Sequence, residues 1–249
     1  MELRFISKEN SSTEESSSTT ALYNFLVNNL KYLRLVLDMM SKNKFKLSPK
    51  KTKRAIERNI KCDNSIKKSS NYEDFVEIMQ KFYNKDSNQK LNEQRGILLE
   101  KLWCYNGPYY YNQLQFRATK EAQVYLNGEF FENYENDIDV VYEILNESFT
   151  EDSFNDYSKY LKCVELDECK SSAENATQDP MCEGNKRKFE LMEKTKKKIL
   201  TDEEELGCRA HIITYDGNSQ QTEYWLKTQG FNDIEIICRE TIEKRILNK

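Results

Sequence analysis

The chain has 249 residues, of which 32% are charged and 38% are hydrophobic, and its formal net charge is −4. This length suits one large domain, or a core domain with a smaller companion. No run approaches the roughly 18 apolar residues of a transmembrane helix, and the N-terminus is too polar for a signal peptide, so we expect an intracellular protein (cytoplasmic or nuclear) without membrane contact. Seven cysteines with no regular spacing favour a reducing compartment over a disulfide framework.

Charge is unevenly distributed along the chain. Residues 42–68 hold eleven Lys or Arg against two acids, and residues 186–198 hold seven against two. Between them, residues 129–158 hold ten acids and no Lys or Arg. Such a chain can present cations to a polyanion while it gathers carboxylates elsewhere. Taken alone, each charge run is more often an ordinary solvated surface.

The N-terminal third is predicted to be helical after a flexible start. Residues 7–20 are rich in Ser, Thr and Glu and have almost nothing to bury, so residues 1–20 are predicted to be a flexible segment. Within it, Leu3, Phe5 and Ile6 could form a short strand or fray. Apolar residues at three- and four-residue steps predict a helix over 21–40. Pro49 suits the first turn of a basic helix over 49–61, and a third helix is predicted over 72–83. Residues 21–90 therefore form a helical N-terminal region, which could cover the core, bind nucleic acid or mediate formation of a homodimer.

From residue 91 to 249 the pattern is that of a mixed α/β core, in which helices flank a central sheet. Asn127-Gly128 is a hairpin-turn signal within it. Residues 146–158 and 173–182 are predicted to be loops. The predicted helices and strands follow in the order helix 92–105, strands 109–119, 122–125, 137–145 and 159–169, helix 184–200, strand 209–215, helix 223–229 and strand 234–238.

Two of these strands carry acidic residues where apolar ones would be easier to bury. Side chains alternate along a strand, so Glu168 and Lys170 project together from the end of theirs, and Asp139 can lie beside Glu168 if the strands are neighbours. Two such carboxylates repel each other unless a cation lies between them. Mg²⁺ needs few hard oxygen ligands, and the backbone carbonyl of Cys169 could add a third. Lys170 would then stabilise hydroxide or the extra charge of a pentavalent phosphorus.

Three stretches carry a resemblance to a known family. They are Ile138-Asp139-Val140-Val141, Glu168-Cys169-Lys170 and the helical Gly96-Ile-Leu-Leu-Glu100. In this order they resemble the PD-(D/E)XK nuclease superfamily, over roughly residues 92–216. The resemblance implies a restriction-endonuclease-like core that holds Mg²⁺ or Mn²⁺.

The resemblance also implies roles for individual residues. Asp139, Glu168, the Cys169 carbonyl and Glu100 would hold the metal, and Lys170 would position or activate the nucleophile. A basic helix follows the corresponding strand in that family and faces the substrate. The helix over 184–200 takes that place, and the phosphate contacts expected from it are Lys186 and Lys188.

The sequence departs from the family pattern at two positions. Ile138 precedes Asp139 where the family name places proline. Asp167 precedes Glu168 where an apolar residue usually packs inward, so either the strand end is open to water there or Asp167 is an additional acidic neighbour of the site. The alternative frame Glu165-x-Asp167 lacks a following lysine and places both acids on the opposite face, and we reject it.

Other candidate residues favour structural roles. His211 lies in an apolar run and is predicted to be a hydrogen-bonded core histidine. Cys208-x-x-His211 is half of a zinc pattern, and the other half could come only from cysteines at irregular spacing. Tyr109 to Tyr111 and Phe130-Phe131 could stack on bases, although packing against the sheet is the commoner use of such aromatics.

The sequence thus predicts a metal-dependent nuclease, with DNA favoured over RNA as its substrate. In the basic helix of the N-terminal region, Lys51, Lys53 and Arg54 are further predicted contacts to nucleic acid. A second hypothesis is a non-catalytic nucleic-acid-binding or assembly module on the same fold. A third is a protein-interaction domain without any nucleic-acid role.

Overall fold

A computed structural model describes residues 3–8, 14–60, 64–111, 113–131, 136–150, 159–202 and 205–248. These residues form an α/β fold in which helices flank a mixed seven-stranded sheet. None of the helices in these ranges is long and apolar enough to cross a membrane. The helices and strands, in chain order, are β1 (Leu3–Ser7), α1 (Ser17–Asn28), a 3₁₀ turn (Leu30–Tyr32), α2 (Leu33–Lys42), α3 (Pro49–Asn59), α4 (Asn64–Lys67), α5 (Tyr72–Tyr83), α6 (Asn88–Cys104), β2 (Phe116–Leu126), β3 (Glu129–Phe130), β4 (Asp137–Leu145), β5 (Leu161–Lys170), α7 (Ala173–Thr177), α8 (Glu183–Asp202), β6 (Gly207–Thr214), α9 (Gln220–Thr228), β7 (Glu235–Ile237) and α10 (Arg239–Leu247).

The sheet has the strand order β1-β2-β4-β5-β6-β7, and the short β3 pairs with β2. Neighbours from β1 to β5 are antiparallel, whereas β5, β6 and β7 run parallel. Parallel neighbours need a crossover connection, which α7 and α8 supply between β5 and β6, and α9 between β6 and β7. Because β4 and β5 are antiparallel, the start of β4 and the end of β5 meet at one edge of the sheet.

Two hydrophobic clusters hold the helices against the sheet. One joins α1 to α6 and α10 to side chains of β4, β5, β6 and β7, for example Val36, Leu99 and Tyr215. The other joins α7, α8 and α9 to the remaining sheet surface, for example Leu166 and Phe189. The hydrophobic residues of the N-terminal region 21–90 thus share one core with the sheet.

The predicted helices and strands match the structure most closely where the hydrophobic pattern is strong, and they differ from it at the N-terminus and in the first helix. Helix α5 and strand β4 have the predicted bounds. The predicted flexible segment differs at Leu3–Ser7, which pairs with β2 as an edge strand; residues 9–13 lie outside the described residues. The predicted helix 21–40 is two helices, because the first helix ends at Asn28. The side-chain amide of Asn29 caps this end by donating to the carbonyl of Phe25 at 2.9 Å.

The predicted strand over 109–119 is wrong in its first half. The strand begins only at Phe116 and continues to Leu126, through Glu121 at φ 45°. Residues 109–111 and 113–115 instead form parts of a loop, and a buried side chain described below holds the backbone at Tyr109 and Tyr110. The predicted loop 173–182 contains the short helix α7, because Ser172 and Ala173 start a turn that Thr177 closes. Of the predicted acidic loop 146–158, residues 151–158 lie outside the described residues.

Candidate active site

The first residues of β4 and the last residues of β5 bring the predicted carboxylates together. The register places Val140 opposite Asp167, so Asp139 lies one step further on, opposite Glu168. Cys169 donates its backbone N–H to Asp139 Oδ2 at 2.7 Å, and the Asp139 N–H points to Glu168 Oε2 at 3.4 Å. These bonds fix both carboxylates and leave Asp139 Oδ1 and Glu168 Oε1 directed towards the same space.

Two lysine ammonium groups bind these free oxygens. Lys170 Nζ lies 2.6 Å from Glu168 Oε1. Lys188 Nζ, from α8, lies 2.9 Å from Glu168 Oε1, 3.2 Å from Asp139 Oδ1 and 3.4 Å from Asp137 Oδ1. Lys188 therefore bridges the two predicted metal ligands, in the position between them where a cation is expected. The sequence predicts Lys188 as a phosphate contact but carries no signal for this role, because its partners on β4 and β5 lie 49 and 20 residues away in the chain.

Glu100 approaches the same site from α6. Burial, followed by the charges of Asp139 and Glu168, raises the pKa of its carboxyl to about 9. Glu100 therefore carries a proton at neutral pH in the protein without a metal ion. The effect of Asp139 and Glu168 on this pKa shows that the Glu100 carboxyl lies close to both of them.

Burial and neighbouring charges shift the pKa of each of the other ionisable groups in the site. Burial raises the pKa of Asp139 to about 6, with Glu168 acting in the same direction. Burial also opposes the ionised form of Glu168, but Lys170 and Lys188 outweigh it and hold the pKa of Glu168 below its usual value. The same carboxylates raise the pKa of Lys170 and of Lys188 against the effect of burial. At neutral pH Glu168 is ionised and both lysines are charged.

No protein-family model matches the chain, and no curated protein matches its sequence.

The other predicted contacts to nucleic acid lie apart from these carboxylates. Lys186 is exposed on α8, and its ammonium lies 4.0 Å from Glu190. Lys51 and Arg54 are exposed on α3 and line a groove described below. Lys53 instead lies 3.9 Å from Glu73 of α5. The structure thus separates Lys53 from the other two.

The opposite face of β5 carries a second, fully buried set of polar groups. Glu165, Asp167 and His211 are each 0% exposed, and one ligand-type atom of each lies within 4.8 Å of the others. Asp167 accepts hydrogen bonds from Trp103 Nε1 at 2.6 Å and bonds to His211 Nδ1 at 2.7 Å. Asp167 is therefore neither open to water nor part of the site around Glu168. The prediction that His211 is a hydrogen-bonded core residue is confirmed.

Glu165 in this set anchors the loop before β2. Its two carboxylate oxygens accept the backbone N–H groups of Tyr109 and Tyr110, each at 2.6 Å. Burial, followed by the charge of Asp167, raises the pKa of Glu165 to about 7. The Arg245 guanidinium stacks on Trp103, 3.9 Å from the ring centroid, and adds a positive charge beside the two acids. Three of the four carboxylate oxygens already hold a short hydrogen bond to a nitrogen of Tyr109, Tyr110 or Trp103, and the fourth lies against His211 Nδ1, so both carboxylates are satisfied without a metal ion. The buried Nε2 of His211 has no hydrogen-bond partner among the described residues.

Proposed function

We propose that the chain is a divalent-metal-dependent nuclease with a PD-(D/E)XK-type centre on a restriction-endonuclease-like core. One observation carries the proposal. Asp139 Oδ1 and Glu168 Oε1 lie within 3.2 Å of the same ammonium group, and Lys170 lies beside them, 2.6 Å from Glu168. The element order α6, β2, β4, β5, α8, β6 supports the proposal, because it is the order that the resemblance implies.

The donor set fits the proposed Mg²⁺ or Mn²⁺. Both ions prefer carboxylate and carbonyl oxygens, and both tolerate sites with only a few protein ligands. Asp139 and Glu168 would hold the ion, with Glu100 as a further ligand after it loses its proton and the Cys169 carbonyl as a fourth. The repulsion that Asp139 and Glu168 exert on the Glu100 carboxylate supports this assignment, since a cation between the three carboxylates would relieve it. When bound, such an ion supplies Lewis acidity towards phosphate oxygens.

The lysines would act as cations towards the substrate. Lys170 keeps its proton because Glu168 and Asp139 raise its pKa, so it is not a base at neutral pH. Its ammonium can instead stabilise the extra negative charge of the phosphorus centre during attack. Lys188 is 19% exposed, and a metal ion would compete with it for the same two oxygens. Once displaced, Lys188 would be free to reach a phosphate, in the role that the resemblance implies for it.

A cleavage assay tests this function. Supercoiled plasmid and end-labelled single-stranded DNA and RNA are incubated with Mn²⁺, Mg²⁺ or EDTA, and DNA is the expected substrate. Asp139→Asn and Lys170→Met should each lower the cleavage rate at least about 100-fold, because they remove a ligand and a charge aimed at the transition state. Lys81→Met changes an exposed lysine on α5, outside the candidate active site, and should have little effect. Cleavage that persists in both site variants would show that Asp139 and Lys170 take no part in the reaction.

A second candidate function is a non-catalytic nucleic-acid-binding module. The observation that favours it is that Lys188 already neutralises the carboxylate pair. Nucleic-acid binding that depends on salt, without metal-dependent cleavage of any of the three substrates, would support this candidate over the nuclease.

A further inference from the structure

A groove in the N-terminal helical region is lined mainly by cationic side chains. Its volume is about 610 Å³. Four of the eight lining residues are basic, and Glu57 is the one acid among them. The lining basic residues are Lys51, Arg54, Arg58 and Lys67.

Three of these cations form a stripe along α3. Lys51, Arg54 and Arg58 follow each other at steps of three and four, so they share one helical face, and the buried Ala55 forms part of the groove wall beside them. Like charges at these steps destabilise a helix by a few tenths of a kcal/mol per pair. Within the described parts of the chain, none of the three has an acidic partner within 4.0 Å, and Arg58 donates only to the carbonyl of Arg54. The stripe is therefore a cost in the folded protein that a bound polyanion would relieve.

The groove is fixed to the candidate active site through the loop between α2 and α3. Asn43 and Leu47 line the groove, whereas Lys44 between them turns away and donates to Ser172 Oγ at 2.9 Å. Ser172 lies two residues beyond Lys170, at the end of the strand that carries Glu168. Arg95 strengthens the connection, since its guanidinium binds both the Met40 and Ser171 carbonyls, at 2.6 and 3.2 Å.

Standard chain dimensions set the distance between groove and site. Following Asn43, the Lys44 side chain and Ser172 to Lys170 gives at most about 25 Å. A nucleic-acid strand advances about 3.4 Å per nucleotide, so about seven nucleotides cover this distance. A strand of this length is therefore long enough to reach from the groove to the candidate active site.

The same loop carries an exposed aromatic ring. Phe45 stands between Lys44 and Lys46 and is 69% exposed, more than any other large hydrophobic residue in the described ranges. Lys44 and Lys46 are themselves engaged with Ser172 and Asp86, so the cations that would accompany the ring are those of the groove, whose lining includes Asn43 and Leu47 on either side of Phe45 in the chain. Proteins that bind single strands combine such a ring, on which the bases stack, with cations that follow the phosphates. Such stacking needs unpaired bases, so it selects single-stranded substrates.

We propose that this basic groove, together with Phe45, binds a single-stranded stretch of the nucleic acid whose neighbouring phosphates reach the candidate active site. The proposal deepens the proposed nuclease function and rests on it for the identity of the ligand. The groove supplies affinity through phosphates, and Phe45 supplies preference for unpaired bases.

Binding is measured by fluorescence anisotropy of labelled 20-nucleotide single-stranded and duplex DNA, without a metal ion and in the Asp139→Asn background, so that cleavage does not enter. The triple variant Lys51→Ala/Arg54→Ala/Arg58→Ala should lower the slope of log affinity against log salt by about 2, which is the loss of three phosphate contacts on a single strand. Phe45→Ala should weaken single-strand binding about 5- to 150-fold and leave duplex binding nearly unchanged.

Matched controls remove the same charge and ring area elsewhere. The triple variant Lys81→Ala/Lys90→Ala/Lys227→Ala makes the same charge change outside the groove, and Tyr224→Ala removes a ring that is 57% exposed on α9. Both controls should bind like the parent protein. Groove variants that bind like these controls overturn the proposal, as does equal loss of duplex and single-strand binding in Phe45→Ala.

The test separates this proposal from the nuclease function. If the groove variants lose binding but the wild-type chain cleaves nothing, the groove proposal stands and the nuclease assignment fails. If the wild-type chain cleaves DNA and the groove variants keep both affinity and KM for the 20-nucleotide substrate, the nuclease assignment stands and the groove proposal fails.

Discussion

Replacement of Asp167 by alanine should destabilise the protein without disabling the candidate active site. Asp167 is fully buried and accepts from Trp103 at 2.6 Å, and it bonds to His211 at 2.7 Å. The variant strands two buried donors, at about 1–3 kcal/mol each. Relief of the repulsion between Asp167 and Glu165 returns part of this, so we expect a net loss of about 2–4 kcal/mol in the free energy of unfolding.

Thermal unfolding followed by circular dichroism measures this loss. A chain of this size loses about 2–4 °C in Tm per kcal/mol, so Tm should fall by about 5–15 °C. Glu183→Ala removes an acid whose side chain is 70% exposed and should change stability by less than about 0.5 kcal/mol. Well below its Tm, Asp167→Ala should cleave DNA at close to the wild-type rate, because its side chain faces away from Asp139 and Glu168. A variant that keeps its Tm but loses cleavage would refute this reasoning.

Three further predictions concern the carboxylate site. The pKa values of Glu100 (about 9) and Asp139 (about 6) are raised, so the folded chain binds more protons than the unfolded chain above pH 4.5. The free energy of unfolding, measured by urea titration, should therefore fall as pH rises from 4.5 to 9, and Glu100→Gln should make that fall smaller. Mn²⁺ should raise Tm more at pH 8.5 than at pH 6, since both carboxyl groups are then more fully ionised, and Asp139→Asn should abolish the rise. Lys188→Met should bind Mn²⁺ at least about fivefold more tightly by calorimetry, because the ammonium competes for the same oxygens, at a coupling of about 1 kcal/mol.

Each of these predictions has an outcome that would contradict it. A free energy of unfolding that is constant across this pH range would mean that Glu100 does not hold a proton in the folded chain. A rise in Tm with Mn²⁺ that survives Asp139→Asn would place the ion elsewhere, and the buried Glu165, Asp167 and His211 would be the next candidates. Unchanged Mn²⁺ affinity in Lys188→Met, equal to that of Lys186→Met, would mean that Lys188 does not occupy the ion's position.

The candidate site was predictable from the sequence to the extent that it depends on alternation within strands. The phase of β4 and β5 placed Asp139, Glu168 and Lys170 on one face, and the structure brings them together there. The position of Lys188 was not predictable in this way. It depends on how α8 packs on the sheet, which is a tertiary property that periodicity does not contain.

The errors in the predicted fold also have tertiary causes. Tyr109 and Tyr110 have the composition of a strand, but a glutamate 55 residues or more away binds their N–H groups and holds them in a loop. Leu3–Ser7 becomes a strand only because β2, more than 100 residues later, offers it an edge. Local propensity cannot detect either partner, whereas α5 and β4 were predicted accurately because their own pattern suffices.

The presence of acids on both faces of β5 has a consequence for how the strand finds its place. A shift of one residue along β4 would exchange the two faces of β5, turning Asp167 towards Lys188 and Glu168 into the core. Lys170 would change face together with Glu168, because both lie on β5. Hydrophobicity alone would penalise that shift weakly, because each face would still carry a carboxylate. The donors that other helices and strands supply discriminate between the two alignments: the Trp103 indole and the His211 imidazole on one face, and the Lys188 ammonium group on the other. Matched polar partners thus specify the correct alignment of this strand. One of them, Trp103, lies on α6, which precedes the strand in the chain, and it can hydrogen-bond Asp167 only in the correct alignment.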